Sequence, residues 1–89
     1  MDDPNTNDRV CKTVIAIIAD VLAISANKIP EDANLMLDLG ADSLELTEIV
    51  MRIEETFNID LSDIDQQMTR RVSDFTEEVR KRIRALKRE

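Results

Sequence analysis

Asp38-Leu39-Gly40-Ala41-Asp42-Ser43-Leu44 runs directly into Glu45-Leu46-Thr47-Glu48-Ile49-Val50-Met51-Arg52-Ile53-Glu54-Glu55-Thr56-Phe57, and the change of pattern at Ser43 decides the fold. Beyond it, Leu46, Ile49, Val50, Ile53 and Phe57 recur at the i, i+3, i+4, i+7 spacing that lines one face of an α-helix. Ser43 is therefore expected at the N-terminus of that helix. There, unpaired backbone N–H groups and the positive end of the helix dipole favour an anion such as a phosphate ester.

Working outward, Asp8 suits the N-cap of a first helix over residues 9–25, with Val10, Val14, Ile17, Ile18 and Val21 as a broad apolar stripe. Cys11, Ile15 and Leu22 widen that stripe, and Cys11 reads as a small core or boundary hydrophobe. Residues 26–42 hold Asn27, Pro30, Asn34 and Gly40 among scattered apolar side chains, which predicts a long loop pinned inward by Ile29, Ala33, Leu35 and Leu39. A short third helix is expected over residues 61–68, turning Leu61, Ile64 and Met68 inward. Ser73 reads as the N-cap of a last helix over residues 74–87, with Val72, Phe75, Val79, Ile83 and Leu86 at spacings of three and four. No alternating strand pattern, internal repeat or low-complexity segment interrupts this series. The predicted fold is an all-α four-helix bundle with three longer helices and one short one, formed by a domain at residues 8–87 behind a polar segment at 1–7.

Eighty-nine residues make one small domain, too small for a roomy enzyme site. The formal net charge is −7 and is unevenly spread: residues 1–67 carry 15 acidic and 4 basic side chains, residues 68–89 carry 4 and 8. An acidic body repels nucleic acid and anionic membranes and steers proteins with basic patches, so no nucleic-acid partner and no stable membrane insertion are expected. The basic run from Arg80 to Arg88 fits the C-terminal end of a helix, where cations offset the macrodipole. A single cysteine permits no intramolecular disulfide, and the start of the chain has neither the basic region nor the apolar core of a signal peptide, so a cytoplasmic location is expected; the protein is also expected to be a monomer.

Ser43 as a hydrolase nucleophile lacks a partner, because the chain has no histidine and Gly40-Ala41-Asp42-Ser43-Leu44-Glu45 lacks the second glycine of a nucleophile elbow. No residue is assigned a catalytic role. Asp38 and Asp42 read more simply as turn formers and caps than as an acid–base pair. Asp60, Asp63 and Asp65 lack the glycine and glutamate spacing of a calcium loop, and no metal site is predicted. With helix positions spaced at about 100°, Leu44 and Met51 fall opposite the core stripe, flanked by Glu48 and Glu55. Apolar residues ringed by carboxylates fit a partner-docking patch. Thr47 puts a polar group into that patch.

Together, the Asp-Leu-Gly-Ala-Asp-Ser-Leu string and its flanks closely resemble the acyl carrier proteins. The resemblance extends through Val14, Ile17, Ile18 and Leu22; through Ile29, Ala33 and Leu35; through Glu48, Met51, Glu54-Glu55 and Phe57; and through Val72 and Asp74, spanning residues 8–83. It implies a covalent 4′-phosphopantetheine on Ser43, derived from coenzyme A, with Asp42 helping a phosphopantetheinyl transferase recognise its target. It also implies a carrier, not an enzyme, that presents acyl thioesters to acyl-transferring and chain-modifying enzymes of fatty acid, lipid or specialised biosynthesis. Docking would use Leu44, Glu48, Met51 and Glu55, and an acyl chain would tuck among Leu46, Ile49, Ile53, Leu61, Ile64 and Met68. The sequence departs from the family pattern at Leu35, Leu37, Thr47 and Thr69. An aminoacyl or peptidyl carrier and an unmodified acidic interaction module stay open as alternatives.

Overall fold

The computed structural model describes residues 4–64 and 70–87. Among them are three α-helices and no strand: α1 (Pro4–Leu22), α2 (Ser43–Phe57) and α3 (Val72–Lys87), with a single 3₁₀ turn at Ala26–Lys28. The helices α2 and α3 both pack against α1. Val10, Val14, Ile18, Ile49, Ile53, Leu61, Val72, Phe75 and Val79 form the sealed centre between them.

Helix α1 starts at Pro4, so Asp8 lies within the helix and does not cap it. Proline suits a first helical position because its fixed φ is already helical and its missing N–H would have had no intrahelical acceptor. The helix stops at Leu22, three residues before the expected end. There Ala23 turns left-handed at φ 58°, and the Ile24 N–H donates to the Ala19 carbonyl at 3.0 Å. This is the Schellman closure usually made by glycine. Asn58 ends α2 in the same way at φ 55°, with the Ile59 N–H donating to the Glu54 carbonyl at 3.1 Å. Asparagine tolerates this conformation better than alanine. Ala23→Gly is therefore expected to stabilise the fold by about 0.5–1 kcal/mol, since relief of the Cβ clash exceeds the added chain entropy; a thermal or urea melt reads it, and a lower midpoint would refute the strain.

The long loop is held by backbone as well as by apolar side chains. Ile29, Ala33 and Leu35 are buried and Leu39 partly so, as the pattern predicts. In addition, the Leu35 N–H donates to the Arg70 carbonyl (2.9 Å), the Val72 N–H to Ala33 (3.0 Å) and the Ser73 N–H to Glu31 (2.8 Å), pairing Asn34 with Arg71 in an isolated antiparallel bridge. A guanidinium N–H of Arg71 also donates to the Asp32 carbonyl.

Helix α3 begins at Val72, so Ser73 lies inside its first turn and is not its cap. The carboxylate of Asp74 does the capping, accepting from the Arg70 N–H (3.1 Å) and the Arg71 N–H (2.9 Å). Leu86, assigned to the core stripe, is 57% exposed, because the last turn of α3 runs past the packed centre. Most of the expected third helix lies outside the described residues; its start, 61–64, is a turn in which the Ile64 N–H donates to the Leu61 carbonyl at 3.1 Å. Arg82 of α3 fastens that turn, reaching Asp63 at 2.8 Å and donating to the Asp60 carbonyl at 2.8 Å.

Candidate functional site

The serine is set in place from the loop side. Asn34 turns the chain by accepting the Met36 and Leu37 N–H groups on its side-chain oxygen, each at 3.0 Å, while its own N–H donates to the Asp38 carboxylate at 2.8 Å. Gly40 follows in the left-handed region at φ 74°, where an added Cβ would meet open space, so the need for glycine is conformational. The Ala41 N–H then returns to the Leu35 carbonyl at 2.8 Å. Asp38 thus works as a turn former, as its place in the sequence suggests.

Asp42 is the N-cap of α2 and half of a capping box: its carboxylate accepts from the Glu45 N–H at 2.7 Å, and the Glu45 carboxylate accepts from the Asp42 N–H at 3.0 Å. Ser43 is the first helical residue and is exposed, as is Asp42. Its side chain stands beside the N–H groups that open the helix, where the dipole is positive. The Thr47 hydroxyl donates to the Ser43 carbonyl at 3.0 Å, which turns that hydroxyl back onto the helix. An exposed serine at a helix N-terminus, with no histidine in the chain to act as its base, suits a phosphodiester anchor.

Along the outer face of α2, Leu44 is 81% and Met51 53% exposed, with Glu48 and Glu55 also exposed. A groove of about 770 Å³ runs here, lined by Leu44, Glu45, Thr47, Glu48, Met51, Arg52 and Glu55 of α2 and by Asp20 and Val21 of α1. The α1 wall and Arg52 are absent from the sequence reading. Arg52 lies on the same side of the helical wheel as Glu48, but its ion pair with Asp20 joins residues on two helices and has no local signal.

Of the residues expected to meet an acyl chain, Ile49, Ile53 and Leu61 are fully buried, and Leu46 and Ile64 are half-buried against the same core. Met68 lies outside the described residues. The Glu54 carboxylate accepts the Leu61 N–H at 2.8 Å, which fixes Leu61 against α2.

Neither remaining candidate group joins the site. The Cys11 thiol is buried and donates to the Glu31 carboxylate at 3.4 Å; burial first, then that neighbour, push its pKa up and keep it as the unreactive thiol. Asp60 is held below the usual carboxylate range chiefly by the Ser62 N–H, and among the described residues no cluster of carboxylate, thiol or imidazole groups could hold a metal ion.

The family model described as "Phosphopantetheine attachment site" matches residues 12–79. An acyl carrier protein of Solidesulfovibrio magneticus is 45% identical over 65 residues, covering 73% of this chain and 83% of its own length. This chain belongs to the acyl carrier protein family. A second relative, an acyl carrier protein of Cyanidium caldarium, is 42% identical over 72 residues and shares 81% of this chain and 84% of its own. The fold of the carrier is similar to that of the apo doublet acyl carrier protein from prodigiosin biosynthesis, with a TM-score of 0.79 at 21% identity; 92% of this chain superposes, spanning 40% of that one. The cofactor of this carrier is thus a covalently attached 4′-phosphopantetheine. Among the described residues no helix is long and apolar enough to cross a membrane.

Proposed function

We propose that Ser43 bears the phosphopantetheine arm and that the protein shuttles acyl groups between enzymes without catalysing a reaction itself. The single observation behind this reading is the exposed Ser43 at the N-terminus of α2, fixed on one side by the Asp42–Glu45 capping box. On attachment, the Ser43 hydroxyl oxygen attacks the phosphorus that carries pantetheine in coenzyme A; its proton passes to a base of the transferase, and the bond to the nucleotide part breaks. The arm supplies a terminal thiol for thioester formation. Intact mass after incubation with coenzyme A, Mg²⁺ and a phosphopantetheinyl transferase tests the carrier role. One added arm is expected, and no added mass would leave an acidic interaction module.

Asp42 has a structural task as cap, and in this reading its exposed carboxylate also helps the transferase recognise its target. In this reading the carrier works in the cytoplasm as a monomer, and its domain spans residues 8–87, although helix α1 continues back to Pro4. Its enzymes belong to fatty acid, lipid or specialised acyl biosynthesis.

For the cargo, we infer burial of a saturated acyl chain among Leu46, Ile49, Ile53, Leu61, Ile64 and Met68. The five described members share one core, so a chain enters by parting α2 from the 61–64 turn. Each shielded CH₂ contributes up to about 0.8 kcal/mol, less the cost of that opening. The acyl form is expected to melt higher than the form bearing the bare arm, and equal midpoints would contradict burial.

For docking, Glu48 and Glu55 steer basic surfaces toward Ser43, and Leu44 and Met51 form the desolvated contact. Glu48→Lys with Glu55→Lys is expected to slow association with the transferase, and added salt to slow the wild type toward the mutant, since exposed charges are screened within about 10 Å at 0.1 M salt. Met51→Ala is expected to speed dissociation with little salt dependence. Stopped-flow kinetics at two salt concentrations separate these effects; wild-type association that ignores salt would sink this face and leave the carrier role standing.

A further inference from the structure

The groove beside Ser43 carries a cation that an acidic docking face has no need of. Four carboxylates line it, from Asp20, Glu45, Glu48 and Glu55, together with one guanidinium, Arg52. Glu45 is occupied in the capping box. Arg52 donates to the Asp20 carboxylate across the gap between α2 and α1, with both side chains well exposed at 45% and 68%. Asp20 raises the affinity of Arg52 for its proton, and Glu48 and Glu55 face the guanidinium and add to this. Arg52 therefore sits between the two glutamates that steer partners and the α1 wall. Among the described residues, neither Glu48 nor Glu55 has a cation at ion-pair distance.

This arrangement has two physical effects. First, a guanidinium one helical turn from both glutamates lowers the local negative potential, so a partner relying on an unbroken row of cations meets like charge at Arg52. Second, the ion pair with Asp20 anchors the guanidinium against α1 and makes the α1 flank of the groove nearly neutral. Discrimination between partners needs such a repulsive element as well as attractive ones.

Resting on the reading of α2 as the docking face, we infer that Arg52, held by Asp20, is a specificity residue of that face. It selects protein partners whose surface carries cations opposite Glu48 and Glu55 but a neutral or acidic side chain over Arg52 and the α1 flank. Uniformly basic partner surfaces are disfavoured.

The test uses the full chain and a phosphopantetheinyl transferase with a uniformly basic carrier-binding surface, reading kcat/KM for arm transfer at low and high salt. Arg52→Ala is expected to raise kcat/KM roughly three- to tenfold at low salt, chiefly through KM, with the gain shrinking as salt rises. Asp20→Asn is expected to lower it, because it unmasks the guanidinium. The double variant is expected to return toward wild type, since Arg52→Ala alone bares the Asp20 carboxylate and removing both charges restores a neutral flank. A merely structural clamp would give a different pattern, in which both single variants lower kcat/KM or leave it unchanged and melting midpoints fall together. That pattern overturns the inference. Glu48→Lys serves as the control: if it slows transfer while Arg52→Ala is neutral, the selectivity role alone is wrong. If Glu48→Lys has no effect, the docking face itself is wrong and the inference falls with it.

Discussion

Ser43→Ala is expected to abolish arm attachment completely while the helical fold persists. The substitution removes the hydroxyl oxygen of the exposed first residue of α2, the acceptor on which the proposed attachment depends. Its cost in stability is expected to fall below the roughly 1 kcal/mol of a lost N-cap, because the cap is Asp42 and the box with Glu45 stays intact. The bond from the Thr47 hydroxyl is also kept, since it ends on the Ser43 backbone carbonyl. Intact mass with tryptic mapping, beside a thermal melt, reads both halves of the claim. An arm found on any other serine or threonine would defeat the assignment.

Phe75→Ala is expected to do the reverse and take the fold away. Phe75 is the largest fully sealed side chain, only 2% exposed. Truncation of a buried phenylalanine costs about 3–5 kcal/mol in lost transfer energy and cavity formation. Domains have only about 5–15 kcal/mol in total, and in one of this size each kcal/mol moves the midpoint by about 4–8 °C. A fall of more than ten degrees, or loss of the cooperative transition, is therefore expected in melts followed by circular dichroism. A shift of two or three degrees would mean that the centre refills around the missing ring and is less rigid than its burial implies.

What the sequence makes legible, and what it hides, follows from the range of each interaction. The stripe of α2 is a local periodicity, and Ile49 and Ile53 are accordingly buried where the spacing puts them, with Leu44 and Met51 left outside. The inward anchors Ile29, Ala33 and Leu35 are legible because few apolar residues interrupt a polar loop. Helix ends are harder, since several capping chemistries compete over a few residues. Ser73 is a good capping residue by type, yet the Asp74 carboxylate takes the N–H groups one turn back and starts α3 earlier. Ala23 gives no warning of a left-handed stop, because alanine prefers to continue a helix. Leu86 keeps the period of α3 but lies beyond the sealed centre at the end of the helix and stays 57% exposed. The bridge from Asn34 to Arg71 and the pair of Arg52 with Asp20 join distant parts of the chain, and no pattern within either segment encodes them.

The bridge between Asn34 and Arg71 turns everything from 34 to 71, α2 included, into a loop tied shut at its base by main-chain hydrogen bonds. Leu35 and Val72 are both fully buried, so their N–H groups are expected to be among the slowest in the domain to exchange with deuterium. The far rim of that loop, around Asn58 to Asp63, is anchored by the buried Leu61 and otherwise by the pair of a part-buried Arg82 with the exposed Asp63, which contributes little by itself. The amides of its exposed residues on either side of Leu61 are expected to exchange faster than those of the bridge. The serine end of α2 is thereby expected to stay still while the opposite end yields first, which in the proposed reading lets a guest enter without unsettling the tether that holds it.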